Sequence, residues 1–71
     1  MVDTTTTNVS NYIAEMGIKI TKIAQETDIS DGILRRSLAA KERDLRADEL
    51  MRICSFLGKN PFDFWPGSKA G

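Results

Sequence analysis

The chain has 71 residues, 41% apolar and 28% charged, with ten basic residues balanced by ten acidic ones, a single cysteine and no histidine. That length admits one domain near the lower limit at which an apolar core suffices, and the composition excludes both a disordered and a membrane-embedded chain. The lone Cys54 excludes an internal disulfide, and the missing histidine removes the commonest metal ligand and general base.

The opening Met-Val-Asp-Thr-Thr-Thr-Thr has neither the basic nor the apolar region of a signal peptide, and no run approaches the length of a membrane span. A reducing, cytoplasmic setting without a membrane partner is expected, with residues 1–7 as a flexible tail. Asn8 then suits a helix N-cap, and Val9, Tyr12, Ile13 and Met16 follow the stripe of an amphipathic helix that Gly17 can end.

Ile20 to Leu38, ITKIAQETDISDGILRRSL, reads as two short helices separated by a tight turn. Thr21 can cap the first, to about Thr27, with Ile23, Ala24 and Thr27 on one face. Asp28 sits at the bend, where a left-handed residue is needed and Asp is tolerated better than most side chains. Ile29 plugs the corner, and Ser30 caps the next helix, from about Asp31 to Ala39. At about 100° per residue, Ile33, Leu34, Ser37 and Leu38 share one side and Gly32, Arg35, Arg36 and Ala39 the other. The first side packs and the second is free for a partner.

Ala40-Lys41-Glu42-Arg43-Asp44 reads as a solvated loop, with Leu45 tucked inward. A further helix is expected from near Ala47 to Leu57, its buried stripe formed by Leu50, Ile53, Cys54 and Leu57, and Gly58 its stop. Asn60-Pro61 opens a short fifth helix through Trp65, which Pro66-Gly67 ends, and residues 67–71 read as a tail. The folded domain is thus expected over residues 8–66, all-α and without a strand.

Charge is unevenly spread along this frame. Residues 1–34 carry two lysines against five acidic residues, whereas residues 35–46 carry five basic residues against Glu42 and Asp44. A neutral chain is a poor indiscriminate binder of nucleic acid, but its positive charge is concentrated at and behind the second motif helix.

ITKIAQETDISDGILRRSL, the LRADELMRICSFLG helix and NPFDFW together resemble the phage repressor and Cro-like (XRE-type) family of DNA-binding domains, over roughly Val9 to Pro66. The resemblance implies a compact five-helix, lambda-repressor-like helix-turn-helix fold. It further implies that the third helix enters the major groove of a double-stranded DNA operator and that dimers read pseudo-palindromes. Carried over by position, Asp31, Gly32, Arg35 and Arg36 face the bases; Thr21 and Lys22, Ser30, and Lys41 and Arg43 approach phosphates. This chain departs from the family's pattern at three places. Asp28 replaces the usual turn glycine, Thr27 stands where a larger apolar residue is common, and Gly32 removes a side chain from a position that often reads a base.

Blander readings stand beside these. Arg35 and Arg36 could be solvated charges, Gly32 a loose first turn, and Lys41 and Arg43 parts of an ordinary polar loop. Cys54 reads as a small buried apolar residue. Phe56, Phe62, Phe64 and Trp65 exceed what one short helix hides, so a homodimer contact through Phe64 and Trp65 is expected beside plain packing. No catalytic constellation, metal site, cofactor motif or small-molecule site is recognisable, which makes an enzyme unexpected. The function expected is a sequence-specific transcriptional regulator of a phage or mobile element. The alternative is a protein-binding module on the same fold, an antirepressor or adaptor, which neutral charge and the C-terminal aromatics would suit.

Overall fold

Asp3 opens the first helix, its carboxylate accepting from the Thr6 amide at 2.8 Å. The computed structural model describes residues 2–65. Within them α1 spans Thr4–Met16, α2 Ile20–Thr27, α3 Asp31–Leu34 and α4 Ala47–Leu57. α3 continues directly into a π-helical turn over Arg35–Ala39, and a 3-10 turn covers Pro61–Phe64. No strand forms among the described residues.

The threonine tract expected as a tail is helical from Thr4, and Asp3 rather than Asn8 is its cap. Threonine is a weak helix former, but tertiary contacts override that preference. Thr5 and Thr6 are buried, and the Thr6 hydroxyl accepts from the Leu45 amide at 2.9 Å. Asn8, inside the helix, donates its side-chain amide to the Phe64 carbonyl at 2.9 Å. Met16, expected on the buried stripe, lies on the exposed side. α1 ends as expected at Gly17, whose φ of 72° lets the last carbonyls be met by the Gly17 and Ile18 amides.

Five helices were expected and four form among the described residues, because the segment opened by Asn60-Pro61 is a single 3-10 turn. Asn60 accepts from the Phe62 amide and Asp63 accepts from the Asn60 amide, which closes the turn on itself. Trp65 is already extended, so the helix goes no further. Pro66 and Gly67, expected to break it, and the expected tail of residues 67–71 lie outside the described residues.

The core draws on every element: Val9 and Ile13 from α1, Ile23 from α2, Ile29 from the turn, Leu34 and Leu38, Ile53 and Cys54 from α4, and Phe64. α1 packs on the π-helical turn and on the C-terminal 3-10 turn, while α2 packs against α3 and α4. Leu50 and Leu57, expected on the α4 stripe, are half-buried at the edge of this core. No buried side-chain polar atom among the described residues lacks a hydrogen-bond partner. No helix among them is long and apolar enough to cross a membrane.

Candidate functional site

The bend between α2 and α3 is made by Asp28, which adopts φ 62° and ψ 23°, the left-handed conformation its position requires. Its amide bonds to the Ala24 carbonyl at 3.0 Å, closing α2, and Arg52 of α4 donates to the Thr27 carbonyl. Thr27, where the family favours a larger apolar side chain, is buried and returns its hydroxyl to the Ile23 carbonyl at 2.6 Å. The turn therefore closes with a threonine and an aspartate in place of a bulkier residue and a glycine.

α2 begins one residue earlier than expected, at Ile20, with Lys19 in the cap position. Thr21 consequently lies exposed in the first turn and does not cap it. Lys22 is exposed beside it and paired with Glu26 at 3.2 Å. Ser30 does occupy the N-cap of α3, but its hydroxyl makes no capping bond. Thr21 and Ser30 are both exposed.

α3 and the π-helical turn present the two sides read from the sequence. Leu34, Ser37 and Leu38 are buried with Ile33 half-buried, while Gly32, Arg35, Arg36 and Ala39 are exposed. Asp31 and Arg35, one helical turn apart, form an ion pair through Arg35 Nε and Asp31 Oδ1. Arg36 makes no ion pair among the described residues. A Cβ built on Gly32 would meet only Ser30 Oγ, at 3.7 Å, and its φ is not left-handed. Neither packing nor backbone conformation within the chain therefore demands a glycine there.

The wider turn at Arg35–Ala39 is closed by the Ala40 amide on the Arg35 carbonyl at 2.8 Å. Lys41 follows at φ 56°, and the Glu42 amide reaches back to the Arg36 carbonyl at 2.7 Å. Lys41 thus holds an exposed ammonium on a left-handed residue just behind the basic side of α3.

Arg43 does not share that exposure. Its guanidinium donates to Ser37 Oγ at 3.2 Å and to Glu49 Oε1 at 2.9 Å, and Glu49 also accepts from the Arg46 amide. Arg43, expected at a phosphate, instead spends its guanidinium within the fold, joining the π-helical turn to the start of α4. The sequence signal missed was Glu49 in the first turn of α4, where a carboxylate commonly turns back to the cap.

The aromatics divide in the same way. Phe64, expected on a dimer surface, is only 5% exposed and meets Tyr12 edge to face at 5.6 Å. Phe62 and Trp65 are the exposed rings, 67% and 53%, and stand edge to face with each other at 6.4 Å. Trp65, Leu45, Ala47 and Leu50 line an apolar cleft of about 430 Å³ against the start of α1. Among the described residues no group of three or more metal-ligating side chains comes together.

What the surface offers is a capped bend, a helix with a charged outer side and hydroxyl and ammonium groups on both flanks. Residues 8–65 match the family model of the Cro/C1-type HTH DNA-binding domain. No curated protein and no solved structure matches the chain.

Proposed function

Because the chain belongs to the Cro/C1-type helix-turn-helix DNA-binding family, we propose that it is a transcriptional regulator that reads an operator by placing α3 in the major groove. The observation that carries this reading is the exposed set Gly32, Arg35, Arg36 on a continuous helical segment whose opposite side buries Leu34, Ser37 and Leu38. Asp31, Gly32, Arg35 and Arg36 face the base edges in this arrangement. Thr21 and Lys22 at the start of α2, Ser30 at the start of α3 and Lys41 behind it meet phosphates. The resemblance to phage repressors and Cro extends the proposal to a phage or mobile element.

One copy of so small a domain makes few base contacts, so two copies act together on half-sites about 34 Å apart. Trp65 and Phe62, with the adjoining apolar cleft, supply a surface on which a second copy can close, and Phe64 supports that surface from within. No membrane and no small-molecule ligand enters this scheme.

The test is selection from a pool of randomised duplexes, followed by sedimentation on the enriched sequence. The expected result is a two-half-site sequence bound by two copies, with the second copy lost in Trp65→Ala. Binding no tighter than to random duplex would overturn the reading in favour of a protein-binding adaptor.

A further inference from the structure

We infer that Asp31 is a positioning residue that fixes Arg35 for end-on recognition of guanine, so that the two neighbouring arginines just after α3 have different tasks. The inference rests on the major-groove placement proposed above and adds to it a base and a mechanism. Arg35 and Asp31 lie one turn apart on the exposed side, with the aspartate toward the helix start, the orientation in which such pairs are favourable.

The atoms involved decide the geometry. Arg35 commits its Nε–H to Asp31 Oδ1. A guanidinium can approach guanine either side-on, through Nε and one terminal nitrogen, or end-on, through both terminal nitrogens. With Nε occupied, only the end-on pair remains for guanine O6 and N7. The ion pair also holds a rotamer-rich side chain in one direction before DNA arrives, so less freedom is lost on contact.

Gly32 completes the arrangement. No Cβ stands between Asp31 and Ile33, and a Cβ there would meet nothing closer than Ser30 Oγ at 3.7 Å. The backbone beside the pair is open, which lets the helix approach the base edges closely enough for the pre-set arginine to reach. Arg36, unpaired among the described residues, has no such restraint. Asp31 itself makes no contact with a base in this scheme.

The experiment is duplex selection with the full chain, comparing wild type, Asp31→Ala, Asp31→Asn, Arg35→Ala and the double variant Asp31→Ala/Arg35→Ala. Thermal unfolding of each confirms that it is folded. Wild type is expected to prefer guanine at one position of each half-site by roughly tenfold to a hundredfold, and Arg35→Ala to lose that preference. In Asp31→Ala the same preference falls about two- to tenfold while binding to random duplex is not weakened. Asp31→Asn, which keeps an acceptor oxygen, falls between. Adding Asp31→Ala to Arg35→Ala changes nothing further at that position.

An unchanged guanine preference in Asp31→Ala overturns the inference while leaving DNA reading intact. So does loss of a cytosine preference at a neighbouring position, which would make Asp31 a direct reader of the cytosine amino group. A uniform gain in affinity for every sequence also overturns it, since that reports only a removed negative charge. Failure of wild type to enrich any sequence removes the major-groove reading and this inference together, an outcome distinct from the other three.

Discussion

Arg43, in the loop behind α3, donates to Glu49 in the first turn of α4 at 2.9 Å. Glu49 is nearly enclosed, and its carboxylate also receives the Arg46 amide. The Arg43 guanidinium, which also donates to Ser37, therefore joins the two elements that flank the loop, with the buried carboxylate as its anchor on α4. Removing a partner from such a site leaves a desolvated charge behind.

Glu49→Ala is accordingly expected to destabilise the domain by about 1 to 3 kcal/mol, and Arg43→Ala to act in the same direction. For a chain of this size each kcal/mol lowers the melting temperature by about 4 to 8 °C. Calorimetry with DNA titrations at several salt concentrations separates the roles. A melting temperature unmoved in Arg43→Ala, with a shallower salt dependence of binding, would return Arg43 to the phosphate contacts.

Arg36 and Lys41 are expected to fail differently. Arg36→Ala weakens binding to the selected sequence by about 1 to 3 kcal/mol and random duplex much less. Lys41→Ala weakens both alike and reduces the salt slope by about one. Equal losses on both duplexes for Arg36→Ala would remove it from the base readers.

Gly32→Ala is expected to raise the stability of the free domain, by up to about 1 kcal/mol, because nothing in the chain obstructs the added methyl and the backbone is not left-handed. Its affinity for the selected duplex is expected to fall. A variant that is both more stable and equally tight in binding would show that the gap at Gly32 has no bearing on DNA.

Asp28→Gly tests the bend. Asp28 holds φ 62°, and glycine takes that conformation without steric cost but with more freedom in the unfolded chain, so the two effects offset. A melting temperature unchanged or slightly higher is expected. A marked fall would reveal a bonding role for the carboxylate.

Cys54 is expected to give the domain a dependence on alkaline pH. Its thiol is pushed above its ordinary value first by burial and then by the Asp63 carboxylate. The unfolded chain releases this proton near pH 8.5 while the folded chain keeps it. The stability linked to it is therefore complete below that pH and is lost as pH rises toward the folded value. Urea unfolding between pH 7.5 and 9.5 is expected to show a decline that flattens in Cys54→Ala; an identical decline in that variant would assign it to other groups.

The bend and the two sides of α3 were legible in the sequence because they depend on local rules: one left-handed residue, a helical period and a run of apolar residues at that period. Gly17 and Gly58 marked helix ends for the same reason. The start of α1 was not legible, since threonines are weak helix formers and the contact that holds Thr6 comes from Leu45, 39 residues further on. The partners of Arg43 and Phe64 were not legible either. A charged loop residue and a terminal aromatic look exposed in sequence, and only the fold brings Glu49 and Tyr12 against them.

α1 has one more consequence. The Ser10 hydroxyl binds the Leu38 carbonyl at 2.6 Å, the Thr6 hydroxyl the Leu45 amide, and the Asp3 amide the Asp44 carboxylate. Two turns of one helix and its cap residue thus clasp the segment leaving α3 near its start and near its end, like a splint along a limb. The π-helical turn that ends α3 cannot unravel from its far end unless the splint lets go. In amide exchange, the Leu45 proton is therefore tied to the same opening event as the body of α1, and the apparent loop between α3 and α4 keeps time with the helix laid beside it.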